Sequence, residues 1–565
     1  MYDVVRMGRA SLVCIWSLVS TVSLGLTDVS VQVRPGAVQP GQIERQFEKP
    51  PEPSARTGTI TIPAAGQTPP PNAEGIRFVL NDLTVDGVTA YRAEAIRAMY
   101  GKVLHTEVTL SAVYRIVDAL TARYRNDGYI LLQVIVPAQA VEGGVVRLQA
   151  VEGYVADVRV EGGSPALRER MRHYGEQIRA SRPLTVGALE RYVLLANDLP
   201  GVVAHAVLAP STVPGASDLV LQVSSRPLAA ELSTDDRGSR AQGPRRVSGD
   251  LDVNALQGGA SRTELRGVST LDHELLYASL AHDRFVGAGG GKFGVTASYV
   301  YSAPQELAVV PLNLTTHSET GTLTYSYPLV RSRARNLYVR GTLSAFDSTT
   351  RVFGIKDTVD RLRAARLGLT YDAADRLGGV NIADLEFSQG LPWLGASGNG
   401  DALLSRSTGT TDFRKLSLYA ARLQPLPANW AIVLGLNAQY SLTDLLASEL
   451  FSVGGELFGR GYDPSELLND HGAAVKADLQ YSWRLGGRTA TTLVPYGFVD
   501  AGKVWQRTPF EGVESSQSAI SAGLGARLSI GRRVSGFAEL AKPLTRIVGQ
   551  ESNRKARIYA GLSVR

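Results

Sequence analysis

The chain has 565 residues, enough for more than one domain. Its formal net charge of +6 is mild for that length, and its cations are scattered among acids, which argues against nucleic-acid binding. With 44% hydrophobic residues and a mean hydropathy near zero, the composition suits either a soluble protein or a β-barrel, in which lipid-facing residues alternate with polar ones.

At the start of the chain, Arg6 and Arg9 precede an uncharged run from Ala10 to Leu26 that Ser11, Ser17, Ser20, Thr21 and Ser23 dilute. A basic start and a short apolar run read as a signal peptide over residues 1–25, cut after Ser23-Leu24-Gly25, with a retained anchor as the alternative. The single cysteine, Cys14, falls inside this segment, so the mature chain can cross an oxidising compartment without forming disulfides. Thiol catalysis and Cys-type zinc sites are thereby excluded. Nine of the 27 prolines lie between Pro35 and Pro71, which marks residues 26–75 as an extended linker. Within it, residues 40–49 can form about two helical turns with Ile43 and Phe47 on one face; the alternative is a disordered tail.

Folded structure begins near Ile76, and it begins with a repeat: Val85-Asp86-Gly87 returns as Val160-Glu161-Gly162. In each copy a strand leads into the motif and two helices follow it. Leu110, Val113, Val117, Leu120 and Tyr124 form one apolar stripe at helical spacing, and Asn126-Asp127-Gly128 ends that helix with a glycine suited to a left-handed cap. Strands over Tyr129–Val136 and Val145–Val151 come next. The second copy reads as strand Tyr154–Val160, helices Pro165–Arg179 and Thr185–Leu199 with Thr185 as N-cap, then strands Val202–Leu208 and Asp218–Val223. The result is two β-α-α-β-β units, over residues 76–152 and 153–227.

From about residue 228 the pattern turns to period two. In Leu337 to Ser344 one parity is Leu, Val, Gly, Leu and the other Tyr, Arg, Thr, Ser. The same writing recurs over Lys415–Ala421, Ile432–Ser441, Val475–Arg484 and Ile520–Ile530. In Val475, Ala477, Leu479, Tyr481 and Trp483 the apolar parity ends in aromatics, while Lys476, Asp478, Gln480, Ser482 and Arg484 face the other way. The last strand puts Ile558, Ala560, Leu562 and Val564 on the apolar side. A soluble sandwich also alternates, but strand length, aromatic residues at strand ends and the upstream signal favour a transmembrane barrel over residues 228–565.

One stretch inside that region stands apart. Gly459-Arg460-Gly461-Tyr462-Asp463-Pro464-Ser465-Glu466 follows Gly454-Gly455, a glycine density that lets the backbone fold back with an arginine at its tip. On the next strand but one lies Phe498-Val499-Asp500-Ala501-Gly502-Lys503. These two stretches resemble the signature of the outer-membrane superfamily that joins POTRA domains to a β-barrel. Together with Tyr124–Ile130 and Asn197–Gly201, they look most like the two-partner secretion transporters. One departure is Gly459, where a valine often precedes the arginine. The resemblance implies two POTRA domains and a 16-stranded antiparallel barrel. It also implies a sixth loop, residues 451–470, folded into the lumen, with Arg460 held by Asp500 beside Gly502, and residues 40–49 acting as a plug. In POTRA folds the second strand is the sheet edge, so the resemblance places cargo docking by strand addition on Tyr129, Ile130, Leu131, Leu132, Gln133 and Val134; the alternative is that the modules are spacers.

The implied function is an outer-membrane pore of a Gram-negative bacterium, with its POTRA domains in the periplasm. It captures an unfolded large exoprotein, an adhesin or cytolysin, and passes it outward without ATP. Outer-membrane lipid and, during biogenesis, the outer-membrane assembly machinery are the other partners. No cofactor or metal is expected and no enzyme: the seven histidines do not pair at metal spacing, and neither a Gly-x-Ser-x-Gly elbow nor a phosphate-binding loop occurs. A barrel-assembly insertase of the same superfamily is the alternative reading.

Overall fold

The computed structural model of the chain describes residues 36–39, 41–54, 59–61, 68–255, 260–305, 312–486, 490–509, 514–549 and 551–565. The expected signal peptide with Cys14, and Pro40 at the head of the expected plug, lie outside the described residues. Of the expected two turns, the first is the α-helix α1 (Gln42–Arg45), and the second winds tighter, the Gln46, Phe47 and Glu48 N–H groups donating to the Ile43, Glu44 and Arg45 carbonyls at 3.2, 2.9 and 3.3 Å. Pro50 and Pro51 end the run, since neither has an N–H to donate to the Gln46 or Phe47 carbonyl, and Arg266 donates to the Phe47 carbonyl left free, at 2.9 Å. Strand β1 (Ile60–Thr61) follows.

The first α/β module contains β2 (Arg77–Leu80), β3 (Asp82–Asp86), α2 (Ala93–Tyr100), β4 (Thr106–Thr109), α3 (Leu110–Asn126), β5 (Gln133–Ile135) and β6 (Val145–Val151). β6 is central, parallel to β3 and antiparallel to β5. β2 and β4 form a separate antiparallel pair that the β-α-α-β-β order does not contain. The stripe on α3 is buried against Leu83, Val134, Val146 and Leu148. Each such side chain contributes about 1.5–3 kcal/mol. The second module contains β7 (Tyr154–Gly162), α4 (Pro165–Arg179), α5 (Val186–Asn197), β8 (Val202–Pro210) and β9 (Ala216–Ser225), with sheet order β1-β8-β9-β7. Thr185 caps α5 by accepting from the Ala188 N–H at 3.3 Å. The repeated motif now has a cause: Gly87 and Gly162 have φ of 83° and 81°, and a Cβ at either would collide with a carbonyl oxygen on the adjacent strand, that of Ala150 or Val223.

The strand expected over Tyr129–Val136 is a correction. Only Gln133–Ile135 joins the sheet. Tyr129 makes a lone antiparallel bridge to Thr185, the Val186 N–H donates to the Gly128 carbonyl at 2.8 Å, and Ile130 and Leu131 pack on the core of the second module. These residues join the two modules, and Leu132 is buried in the first core. Beside this junction, Glu152 accepts from the Thr89 and Ala90 N–H groups at 2.9 and 3.0 Å and from the Tyr124 hydroxyl at 2.8 Å. Burial raises its pKa, but these hydrogen bonds, with one from the Thr89 hydroxyl, outweigh burial and hold the carboxyl below its ordinary value.

Sixteen antiparallel strands, from Leu228–Asp235 to Arg557–Val564, close into a barrel, the span His471–Leu485 counting as one strand with a break at Ser482. Leu343, Leu367, Leu479 and Leu524, 54, 56, 47 and 63% exposed, face outward, so the apolar parity meets surroundings rather than a second sheet. That arrangement excludes a sandwich. The Trp430 and Tyr481 rings meet at a tilt, 5.0 Å between centroids, at strand ends, where an interfacial belt lies. The strands run from 8 to 20 residues, and most exceed the about 10 that cross a bilayer at a tilt. Where they are longest, the outward parity turns from Leu337, Val339 and Leu343 to Asp347 and Thr349, so the excess is polar and stands clear of the apolar band. The second module is fastened to the turns at one end of the barrel: Arg331 forks onto Asp198 at 2.6 and 2.8 Å, and Arg191 donates to the Pro328 carbonyl at 3.0 Å.

Candidate functional site in the barrel lumen

Between strands Trp430–Ser441 and His471–Tyr481 the chain turns into the barrel as a hairpin, in which Phe451–Val453 pairs antiparallel with Leu467–Asn469. Its apex carries the arginine motif. Gly459 has a φ of 97°, which bars the valine common at this position, and its N–H and that of Arg460 both donate to Asp500 Oδ2, at 3.2 and 2.9 Å. The guanidinium closes on the same carboxylate, Nε to Oδ2 at 3.0 Å and Nη2 to Oδ1 at 2.7 Å. A planar fork matches a carboxylate in this way, and a lysine could not reproduce it.

Three further groups complete the site. Asp478 Oδ1 accepts from Arg460 Nη2 at 2.6 Å, Glu539 lies 3.8 Å from Nη1, and the Phe498 ring sits 3.6 Å from the guanidinium carbon. Glu539 in turn accepts from the Tyr496 hydroxyl at 2.7 Å and pairs with Arg237 at 3.0 Å. Parity alone puts Asp478 on the inward face, and the register places it opposite Phe498, two residues from Asp500. That signal was available in the sequence. Glu539 is inward by the same parity, but its approach depends on register carried across two further hairpins, Tyr496 opposite Gly525 and Gly525 opposite Glu539. The Arg460 and Asp500 side chains are 4 and 0% exposed, so removing one partner leaves the other charge buried.

The rest of the motif fits the hairpin to the wall. A Cβ on Gly461 would meet Ser521 and Pro543 of the wall at 2.8 and 2.9 Å. Tyr462 is buried, donates through its hydroxyl to the Ile520 carbonyl at 3.0 Å and accepts from the Arg546 N–H at 3.2 Å. Asp463 pairs with Arg557, and Pro464 packs against Gly455. Gly502 lies under Val453, whose methyl groups a Cβ there would meet at 2.6 Å.

A second occupant shares the lumen. On α1, Gln42 donates to the Ala447 carbonyl at 2.8 Å and accepts from the Ser465 hydroxyl of the hairpin at 3.3 Å. Glu44 accepts from the hydroxyls of Ser298 and Thr320 on the wall. Arg45 donates to the Leu450 carbonyl at 2.6 Å and reaches Glu449 at 3.4 Å, although Glu449 already holds Arg366 and Lys415, each at 2.7 Å. Ile43 and Phe47 pack on Val268, Leu275, Tyr277 and Val300. The space left beside these groups is about 730 Å³, within the range of a small-molecule site and far short of a passage for a protein. Of the six candidate docking residues, only Gln133 and Val134 lie on an edge strand.

Comparison with known proteins agrees with this geometry. A family model described as haemolysin secretion/activation protein ShlB/FhaC/HecB matches residues 215–528, and the ShlB-type POTRA domain model matches residues 78–153. The chain is 24% identical over 559 residues to the heme/hemopexin transporter protein HuxB of Haemophilus influenzae, with 93% of this chain and 95% of that protein covered. It is 24% identical over 436 residues to the hemolysin transporter protein ShlB of Serratia marcescens, with 74% of each covered. Among solved structures, CdiB from Escherichia coli aligns with 88% of this chain and 92% of its own at a TM-score of 0.72 and 20% identity, a likeness of fold. With a closed barrel, a lumenal arginine hairpin, a POTRA match and a family model spanning more than half its length, this chain belongs to the ShlB/FhaC/HecB family of haemolysin secretion/activation proteins.

Proposed function

We infer that the chain is the outer-membrane pore of a two-partner secretion system, which takes an unfolded large exoprotein, an adhesin or cytolysin, in the periplasm and delivers it to the cell surface. The observation that carries this reading is the lumenal hairpin locked by Arg460 to Asp500 inside a 16-stranded barrel that bears α/β modules at one end. Residues 76–152 and 153–227 act as two POTRA receptors, and backbone groups at the edge of β5 add a strand of cargo with little demand on its sequence. Outward leucines seat the barrel in lipid, and the outer-membrane assembly machinery inserts it. Residues 451–470 shape the passage, and α1 closes it at rest. No catalytic step is assigned. Transport draws on cargo folding outside the cell, since the periplasm offers no ATP.

The test is secretion of a neighbouring large exoprotein in cells with and without this gene. The exoprotein appears outside only when the wild-type chain is present. The Arg460→Ala variant stays in the outer membrane but secretes poorly; normal secretion by it would remove the role given to the hairpin.

A further inference from the structure

A piece of the chain's own linker sits on the sheet edge of the second module. β1 runs parallel to β8, Ile60 beside Ala206 and Thr61 beside Val207. The Ala206 N–H donates to the Thr59 carbonyl at 3.1 Å, and the Thr59 hydroxyl meets the His205 ring at 2.5 Å. The sheet order makes β8 the edge strand whenever β1 leaves. Along that edge the backbone groups are satisfied one after another. The Val202 N–H donates to the Leu199 carbonyl at 3.1 Å. The Asn197 side chain accepts from the Ala204 N–H at 3.0 Å and donates to its carbonyl at 2.9 Å, so an amide on α5 imitates a strand residue. Up to Ala204 the edge is therefore closed. From Ala206 onward it takes a peptide, and there it holds one.

The two modules differ at this point. The second strand of each lies beside only one other strand of its own module, but β5 is three residues long and β8 nine, of which Ala206 to Pro210 form the open part of the edge. The longer edge is the occupied one, and its occupant is only two residues long. An exchange there breaks few hydrogen bonds and forms as many with the newcomer. The occupant is also tied to the pore. Ser54 is held at the wall by Asp372 and Tyr338, and the five residues from Ser54 to Thr59 reach at most about 18 Å. With Ile60–Thr61 on β8 and Ser54 on the wall, the chain that follows α1 is fixed at two points, and release of the strand leaves Ser54 alone to hold it.

We propose that the β8 edge from Ala206 to Pro210 is a docking site for an extended segment of the unfolded cargo, which replaces Ile60–Thr61 in parallel register and thereby frees α1 from the lumen. The segment it fits alternates β-branched apolar and hydroxyl residues, as Thr59-Ile60-Thr61 does: Ile60 packs on the core of the module, and Thr59 and Thr61 flank it. This rests on the transporter reading.

The full-length chain with Thr59→Cys and His205→Cys tests it, since its only other cysteine is Cys14 in the expected leader. Oxidation locks the linker to the edge, and exoprotein secretion is lost, then restored by a reductant, while secretion by each single-cysteine variant does not change on oxidation. A second variant, Ile60→Gly with Thr61→Gly, weakens the latch and lengthens the time for which the pore conducts in planar bilayers. A synthetic peptide copying residues 57–63, added on the periplasmic side, does the same to the wild type. Secretion by the oxidised double-cysteine chain, or a glycine variant as closed as the wild type, overturns the proposal. A wild type that secretes no exoprotein in the same cells counts against the transporter reading instead.

Discussion

The arginine hairpin and the α1 segment share one lumen, but the hairpin gathers four N–H donors on the single carboxylate of Asp500 while α1 spreads its contacts over loop carbonyls, wall hydroxyls and one apolar patch. A buried charge that loses its partner has no substitute, so the concentrated site opposes movement with several kcal/mol. Dispersed hydrogen bonds, charged only at Glu44 and Arg45, can be handed to water one at a time, each at about 0.5–3 kcal/mol. The hairpin is therefore a fixture, whereas α1 is removable. Glu449 makes the point from the other side: it holds Arg366 and Lys415 closer than Arg45, so the departure of α1 leaves no orphaned carboxylate.

Substitutions can break or sharpen this contrast. The largest effect is expected from Arg460→Ala, which leaves Asp500 and Asp478 unpaired at a cost of about 3–5 kcal/mol; a lower unfolding temperature of the barrel in detergent would report it. Gly502→Ala should come next, since a Cβ pushes into Val453 under the hairpin at about 1–3 kcal/mol. The same melt measures it. Asp478→Asn keeps an acceptor for Arg460 and leaves the Asp500 fork intact, so a loss of about 1–2 kcal/mol, smaller than that of Asp500→Asn, is expected in that assay. Arg45→Ala should cost less than about 1 kcal/mol in unfolding yet raise the frequency of pore opening in planar bilayers. If Arg45→Ala lowered the melting temperature as far as Arg460→Ala, the contrast between fixture and removable segment would fail.

Much of this is legible in the sequence. The stripe from Leu110 to Tyr124, the cap at Thr185 and the alternation around Val475 are written in periods of 3.6 and 2, and each element carries its own face with it. The glycines of the repeated motif announced themselves by recurring, although the reason, a carbonyl too close for a Cβ, needed the neighbouring strand. Tyr129 to Leu131 were misread as strand because their composition is right for one; docking of a second module took them, and nothing local records that.

By itself the order of residues determined which stretches would be helix or strand, which parity of each strand would face lipid, and that Arg460 and Asp500 belong to one motif, because these follow from local backbone geometry and from patterns at short range. Register carried across successive strands decided how near Glu539 comes to the guanidinium that Asp478 and Phe498 also meet, and folding of the linker back on the second module decided that Ile60 and Thr61 lie on β8. Contacts between residues hundreds of positions apart depend on the curvature and register of the whole sheet, a property that no single segment carries.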